Sequence, residues 1–289
     1  MPHDSSVADR ARQLLDASKS KFYNPYTLLE WPVTVGEHLP CMGDSLMSLA
    51  GTDIFGDLDA AARKKLSFFE TVNLFSVILH GEGSFVAGIA ERIHLPATRP
   101  YAAYLHSIID EENKHMMLFA EFCTRYAGAV YPSRGDGFSG DSDERVADLL
   151  FFARAMVFES LFSYYNRLIA TDPSVDPFVR RIHQLHLLDE ARHVAFGHEL
   201  LAAGIRDLRS QGLDPLVQYC AAQLHDFVQI LRVALCSAEV YADAGILNPI
   251  QARRLALDNP AGPGAFPAAA RSLQRMLCAC GLPAAEDGP

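Results

Sequence analysis

Apolar side chains recur at every third or fourth position over long stretches of this chain, and runs that alternate apolar with polar residues are almost absent. The first pattern is typical of helices with one buried face, whereas alternation is typical of strands. The spacing predicts four long helices, at about 58–93, 101–127, 144–170 and 177–208. It also predicts a fifth, largely apolar helix at about 216–243, shorter helices at 248–257 and 266–280, and an amphipathic outer helix within 1–20.

Polar and helix-breaking residues separate these predicted helices. Asp57 or Asp59 can cap the first long helix, because an aspartate side chain accepts hydrogen bonds from the free N–H groups at a helix start. Residues 128–143 are rich in Gly, Ser, Asp and Pro, which predicts a surface connection between the second and third long helices. We expect an ordered loop over 22–56, where prolines and glycines recur.

Four long helices with one longer connection predict an all-α helical bundle. We expect a single domain over residues 1–289. Its expected parts are an N-terminal helix and loop at 1–57, a four-helix core at 58–210, additional helices at 211–280 and a disordered tail at 281–289.

Composition narrows the classes of partner. The formal net charge of −10 argues against nucleic acid, which binds basic surfaces. The first residues lack the basic-then-apolar pattern of a secretory signal, and no apolar run is expected to reach the length of a membrane span. The six cysteines lack the spacing of a zinc or redox motif. We therefore expect reduced thiols in a cytoplasmic protein that binds neither nucleic acid nor a membrane.

Each long helix carries a glutamate inside an apolar stretch, and in chain order these are Glu82, Glu112, Glu159 and Glu190. Glutamates are almost never fully buried without a partner. The interval from Glu82 to Glu112 is 30 residues, and the interval from Glu159 to Glu190 is 31 residues. These nearly equal intervals indicate one helical hairpin used twice, with the glutamates of each hairpin at the same depth.

Histidines accompany the glutamates of the second and fourth helices. Glu112 and His115 are three residues apart, and so are Glu190 and His193. A spacing of three places both side chains on one face of a helix. His186 lies four residues before Glu190 and shares that face.

The first long helix contains three glutamates that could be the counterpart of Glu159, the single glutamate of the third helix. Glu91 adjoins Arg92 near the predicted end of the helix, where a solvated face is expected, and Glu70 lies more than three turns before Glu82. Glu82 alone matches the interval of the other hairpin, so we assign the position to it.

Two lone glutamates and two Glu-x-x-His motifs form the known ligand set of carboxylate-bridged dimetal centres in ferritin-like four-helix bundles. Four buried carboxylates repel one another and take up protons unless positive charge is present, and two divalent cations supply that charge. Oxygen and imidazole ligands together suit iron or manganese. The sequence therefore predicts a ferritin-like bundle with additional helices around a dimetal core, most simply two iron ions, with manganese as the alternative.

Three further residues lie close to the predicted ligands. His186 exceeds the simple ligand set, and it is either a third imidazole at the same centre or a core histidine with a hydrogen-bond partner. Asp189 and Glu111 directly precede predicted ligands. They are either acceptors for the ligand imidazoles of a neighbouring helix or solvated charges.

The complete pattern resembles that of the p-aminobenzoate N-oxygenase (AurF-like) diiron proteins. The resemblance rests on Glu82, Glu112-x-x-His115, Glu159 and His186-x-x-x-Glu190-x-x-His193. The additional histidine separates that family from ordinary ferritin-like oxidases. The segments YNPYTLLEWPVTV at 23–35 and LAGTDIFGDLDAAARKKLSFFE at 49–70 are also similar to the family's segments at the start of the bundle. The likeness covers about residues 22–210.

The resemblance implies roles for the seven residues. Glu82, Glu112 and His115 would serve mainly one iron, Glu159, His186 and His193 would serve mainly the other, and Glu112 and Glu190 are the bridging candidates. It also implies a monooxygenase of biosynthesis that activates dioxygen with electrons from an external donor. Its substrate would be a small aryl amine or another apolar molecule, and an amine would be oxidised to the hydroxylamine, nitroso or nitro product.

Other functions stay open at this point. The same centre could catalyse C-hydroxylation, desaturation or C–C cleavage. An iron store would hold many irons per chain, and a radical-generating protein would use a tyrosine such as Tyr164 or Tyr165, although core positions are expected for both. By analogy with such bundles, the apolar fifth helix could form a homodimer interface.

Overall fold

A computed structural model describes residues 5–133, 138, 143–259 and 262–283. The described residues form α-helices and no strands, as the apolar spacing predicts. The helices are α1 (Ser5–Ser20), α2 (Pro25–Leu28), α3 (Asp53–Gly56), α4 (Ala60–Arg92), α5 (Ala102–Phe122), α6 (Ala147–Thr171), α7 (Pro177–Ser210), α8 (Asp214–Leu235), α9 (Ala238–Asp243), α10 (Pro249–Asp258) and α11 (Phe266–Ala279).

Helices α4, α5, α6 and α7 form the central bundle. Helix α4 packs against α5, and α6 packs against α7, so the two hairpins predicted from the glutamate intervals are present. Helix α1 covers α5 and α7, and α8 lies against α6 and α7. The all-α bundle with additional helices is confirmed. The division at residues 57 and 210 stays a prediction, and the expected tail lies outside the described residues from residue 284 onward.

Helix α6 approaches both neighbours closely, because glycines of α4 and α7 face its large side chains. A Cβ atom on Gly81 would lie 2.1 Å from the Phe158 ring, and one on Gly197 would lie 2.6 Å from the Cβ of Met156. Both distances are far below van der Waals contact, so only glycine fits. The same arrangement recurs seven residues further along each helix, at Gly88 facing Phe151 and Gly204 facing Leu149.

Helix ends follow local chemistry where a capping residue is present. The Asp59 side chain accepts a hydrogen bond from the backbone N–H of Ala62, so Asp59 caps α4, and Asp57 follows α3 instead. The prediction of one continuous fifth helix at 216–243 was wrong. Helix α8 ends at Leu235, and Ser237 caps the separate helix α9.

Two predicted segments contain more structure than expected. The last five residues predicted for the second long helix, Cys123–Ala127, form a π-helical turn that ends at Gly128, where φ is 80°. The expected loop at 22–56 contains α2, α3 and a 3₁₀ turn at Asp44–Leu46. The predicted surface connection at 128–143 lies partly outside the described residues, and the Tyr131 side chain is buried.

Among the described residues, one helix reaches the length and apolarity of a membrane span. Helix α4 meets both criteria, so the expectation that no apolar run does so was wrong. However, 56% of its most apolar window is buried inside the protein, and core helices of bundles pass the same test. Its buried face carries Glu70 and Glu82, which belong to the interior of the bundle.

Candidate metal centre

The seven predicted ligands meet in the middle of the bundle. Each is at most 4% exposed. Helix α4 supplies one of them, α5 two, α6 one and α7 three, and in that order they are Glu82, Glu112, His115, Glu159, His186, Glu190 and His193. The nearly equal glutamate intervals of the two hairpins therefore place side chains from all four helices at one depth of the bundle, as the sequence predicts.

Four side chains form one donor group, which we call the His186 group: Glu82, His115, His186 and Glu190. The Nε2 atom of His186 lies 3.1 Å from Glu82 Oε1 and 3.2 Å from Glu190 Oε1. The Nδ1 atom of His115 lies 3.1 Å from the same Glu190 oxygen. One donor atom from each residue lies within 4.8 Å of all the others, which suits a single ion with metal–ligand bonds of about 2.0–2.2 Å.

Three side chains form a second group, which we call the His193 group: Glu112, Glu190 and His193. The Nδ1 atom of His193 lies 2.9 Å from Glu112 Oε1 and 3.3 Å from Glu190 Oε2. The second oxygen of Glu112 lies 3.3 Å from Nδ1 of His115, on the side of the other group. Glu112 and Glu190 therefore each direct one oxygen toward the His186 group and the other oxygen toward the His193 group, as expected of bridging carboxylates.

The residues present fit a pair of cations. Neither oxygen of Glu82, Glu159 or Glu190 has a hydrogen-bond partner, and the same is true of His186 Nε2 and His193 Nδ1. Buried polar atoms are normally hydrogen-bonded, because an unsatisfied one costs about 1–3 kcal/mol. The nitrogen–oxygen contacts of His186 Nε2 and His193 Nδ1, at 2.9–3.3 Å, are short but do not meet hydrogen-bond geometry. Bound cations would satisfy these atoms together.

The electrostatics of the cluster also fit added positive charge. Burial, reinforced by the carboxylates of Glu190 and Glu112, raises the pKa of Glu159 well above its ordinary value. Burial raises the pKa of Glu82 to about 7. Burial opposes the charged form of His193, but Glu190 and Glu112 outweigh it and raise the pKa of this imidazole well above its ordinary value. Protons therefore supply the positive charge that metal ions would replace.

His186 lies on a different side of the cluster from the one that the family resemblance implies. It was expected to act with Glu159 and His193, whereas its Nε2 atom lies beside Glu82 and Glu190. Along α7, His186 and His193 are seven residues apart, which is about 10 Å at 1.5 Å per residue. Glu190 lies between them, so the two imidazoles reach opposite ends of the cluster.

Asp189 and Glu111 are buried rather than solvated, and each accepts from an imidazole of the other hairpin. His115 Nε2 lies 3.1 Å from Asp189 Oδ2, and His193 Nε2 lies 2.8 Å from Glu111 Oε2. Arg192 donates to both carboxylates. This arrangement leaves the Nδ1 atom of each imidazole free to face the cluster.

Sequence reasoning missed the partners of His186. The amide of Asn166 lies 2.6 Å from His186 Nδ1 and 2.6 Å from His183 Nδ1. His183 is fully buried, and burial lowers its pKa to about 3, so its imidazole is neutral. A polar residue in the apolar α6, two turns after Glu159, was the signal that could have identified Asn166.

A small cavity lies against Glu159 and His193, on the side of the cluster opposite to His186. It has room for about one water-sized molecule. Its other described lining residues are Phe85, Ile108, Phe152, Ala155, Met156, Phe196 and Gly197. These walls are apolar and contain no lysine or arginine. The two ends of the cluster therefore differ, because polar partners enclose one end and an apolar cavity borders the other.

Comparison with known proteins supports this assignment of fold and family. A family model described as P-aminobenzoate N-oxygenase AurF matches residues 4–281. Uncharacterized protein Rv0885 of Mycobacterium tuberculosis and Uncharacterized protein Mb0909 of Mycobacterium bovis are each 26% identical over 212 residues. That alignment covers 68% of this chain and 61% of each relative, so the chain spans less than two thirds of their length.

Solved structures share the architecture at low sequence identity. A mutant of an R2-like ligand-binding oxidase with an anaerobically reconstituted Mn/Fe cofactor aligns at a TM-score of 0.50 and 14% identity, over 92% of this chain and 93% of that one. Another R2-like ligand-binding oxidase mutant, with a non-activated Mn/Mn cofactor, aligns at 0.50 and 15% identity, over 86% and 91%. With the fold of these ferritin-like oxidases and a family match over nearly its whole length, the chain belongs to the p-aminobenzoate N-oxygenase (AurF) family.

Proposed function

We propose that this protein is a dimetal oxygenase that N-oxygenates an uncharged aryl amine. One observation carries the proposal: six buried donor residues form two groups that share Glu190, and an apolar cavity lined by Glu159 and His193 borders the second group. Family membership supports a dimetal oxygenase, and the cavity supports an apolar substrate. Two iron ions are the proposed cofactor, and a manganese–iron pair has the same ligand preferences.

In this proposal the His186 group would hold one ion, and the His193 group together with Glu159 would hold the other. Glu112 and Glu190 would contribute oxygens to both. When bound, the metal ions supply the reduction of dioxygen and the transfer of one oxygen atom. Conversion of an amine to a hydroxylamine consumes one dioxygen, two electrons and two protons and releases one water, so an external electron donor is required.

The chain's own residues hold and shield the centre. Asp189 and Glu111 orient the imidazoles of His115 and His193 by accepting from their outer nitrogens. The aromatic walls of the cavity exclude bulk water from the side that faces Glu159. An aryl amine is larger than the cavity, so its binding requires flexible walls such as Met156 to move.

The cavity also supports a choice among amines. A carboxylate buried there would meet apolar walls and Glu159, and no lysine or arginine among the described lining residues would balance its charge. Burying an unpaired charge is strongly unfavourable. We therefore propose that aniline-like amines are preferred to p-aminobenzoate, despite the description of the family.

The test is rapid mixing of the reduced, iron-loaded protein with dioxygen in the presence of aniline or p-aminobenzoate, followed by mass spectrometry of the products. The proposal predicts phenylhydroxylamine or its further oxidised products from aniline, and at least tenfold less product from p-aminobenzoate. Ring-hydroxylated product would contradict N-oxygenation, and faster oxidation of p-aminobenzoate would contradict the uncharged substrate. Loading of many irons per chain would indicate an iron store instead.

A further inference from the structure

Three buried polar side chains form a line from the cluster into the bundle. His186 and His183 lie one turn apart on α7, and Asn166 of α6 lies between their rings. All three are at most 1% exposed. Aromatic rings flank the line, with the Phe75 ring 5.0 Å from the ring of His183 and the Phe119 ring 5.1 Å from that of His186. Polar groups in such surroundings need defined partners, so the hydrogen bonds of Asn166 fix the arrangement.

The hydrogen bond of Asn166 determines which nitrogen of His186 can bind a metal. The Nε2 atom of His186 faces Glu82 and Glu190 and is therefore the donor atom of the His186 group. A neutral imidazole that binds a cation through Nε2 carries its hydrogen on Nδ1. That hydrogen needs an acceptor, and Asn166 is the side chain within 2.6 Å.

The amide orientation is the informative detail. In the structure, Asn166 Nδ2 faces His186, and Asn166 Oδ1 faces His183. With this orientation the amide donates to His186 Nδ1, so the His186 hydrogen lies on Nε2 and points at the carboxylates. Amide oxygen and nitrogen positions are assigned from such hydrogen bonds. Metal binding at Nε2 requires the opposite orientation, with Oδ1 accepting from His186 and Nδ2 donating to His183 Nδ1.

We propose that Asn166 and His183 are positioning residues that select the metal-binding tautomer of His186. With a cation at the His186 group, Asn166 Oδ1 accepts from His186 Nδ1 and Asn166 Nδ2 donates to His183 Nδ1. The proposal rests on the proposed function only in requiring a cation at the His186 group. His183 stabilises this amide orientation, because its neutral Nδ1 atom accepts a hydrogen bond from Asn166 Nδ2. A simple packing role would not require this pair of hydrogen bonds.

The test compares two substitutions of Asn166 in the metal-free protein, titrated with Mn²⁺ alone by calorimetry. Asn166→Asp keeps an acceptor toward His186, so it should bind Mn²⁺ within about threefold of the wild type. Asn166→Leu removes the acceptor and should weaken binding about ten- to hundredfold, the usual effect of losing a partner of a ligand imidazole. Asn73→Leu is the matched control, because Asn73 is also buried but donates to the carbonyl of Ala234, away from the cluster.

A second measurement reports the tautomer directly. In protein labelled with ¹⁵N-histidine, the His186 nitrogens should show hydrogen on Nδ1 after addition of Zn²⁺. Equal Mn²⁺ affinities of Asn166→Asp and Asn166→Leu, whether both are weakened or both match the wild type, would mean that an acceptor at this position does not matter, which overturns the proposal. Unchanged His186 shifts with Zn²⁺ bound would overturn it too. Neither readout involves an amine, so failure of the N-oxygenation assay is a separate result.

Discussion

Helix α4 buries two glutamates, and only one of them faces the metal cluster. Glu70 and Glu82 are twelve residues apart, they are 6% and 0% exposed, and burial raises the pKa of both carboxyls to about 7. Their partners differ. Both oxygens of Glu70 accept from Ser48, from its backbone N–H at 2.8 Å and its hydroxyl at 2.6 Å, and that hydroxyl lies 2.5 Å from the hydroxyl of Tyr241. Neither oxygen of Glu82 has a hydrogen-bond partner.

The comparison separates a structural carboxylate from a candidate ligand. Burial and a raised pKa are common to both sites, so neither property identifies a metal position. What distinguishes Glu82 is that its unsatisfied Oε1 atom lies 3.6 Å from His115 Nδ1 and 3.1 Å from His186 Nε2. Glu70 instead connects α4 to the preceding loop and to α9 through the hydrogen bonds of Ser48. Convergent unsatisfied donors are therefore the informative feature of the cluster.

The largest expected difference is in metal content. Glu82→Gln keeps the size of the side chain but removes a negative donor, so the variant should lose at least one of two metal ions and more than 100-fold of its turnover. Glu70→Gln should retain both ions, because Glu70 contacts Ser48 rather than the cluster; the amide oxygen can accept from the Ser48 N–H while the amide NH2 donates to the Ser48 hydroxyl. Metal analysis of the two purified variants checks this, and equal metal loss in both would erase the distinction.

The next expected effect is on the pH dependence of stability. The pKa of Glu70 rises from 4.5 to about 7 on folding, so its folded form holds a proton that the unfolded chain releases in this range. This contribution is fully present below pH 4.5 and is lost as pH rises to about 7, which amounts to about 3 kcal/mol. Glu70→Gln does not titrate, so its free energy of unfolding relative to the wild type should increase by about that amount from pH 4.5 to 7.5.

Urea unfolding of both proteins at several pH values measures that difference. A constant difference across the range would mean that Glu70 has the same pKa in the folded and the unfolded protein, and its buried neutral form would have to be abandoned.

The smallest expected effect concerns the helix on either side of Glu82. A Cβ atom on Gly81 would overlap the Phe158 ring, so Gly81→Ala must displace that buried ring and should cost about 1–3 kcal/mol. Gly83 is the matched control, because its added Cβ would lie 3.7 Å from the Met116 sulfur, an ordinary contact. Gly83→Ala should be neutral or gain up to about 1 kcal/mol from helix propensity. Similar unfolding free energies for both variants would contradict the close approach of α4 and α6.

The sequence was sufficient for the fold class, for the four long helices and for the set of residues that meet in the cluster. These features depend on local periodicity and on the equal intervals of the two hairpins. The break between α8 and α9 was not predicted, because apolar residues lie on both sides of Ser237, at Cys236 and Ala238, and a single serine does not reveal that its side chain caps a new helix. The burial of Glu70 against Ser48 depends on a loop contact that no periodicity encodes.

The side of the cluster that His186 serves could have been predicted more accurately. A shared helical face places His186, Glu190 and His193 together, but their rise along the axis separates the two imidazoles by about 10 Å. The grouping of His186 with His193, which was taken from the family resemblance, did not take that distance into account. The Asn166 pairing could not be predicted in the same way, because it depends on the register of α6 against α7, which is set by packing at Gly197 and Gly204.

Anomalous X-ray scattering from crystals of protein loaded with iron and manganese, measured at both absorption edges, tests the central claim most directly. The account predicts two peaks inside the bundle, one among the donor atoms of the His186 group and one among those of the His193 group and Glu159. A map without peaks at these donors, or with a peak at Glu70 instead, would contradict it.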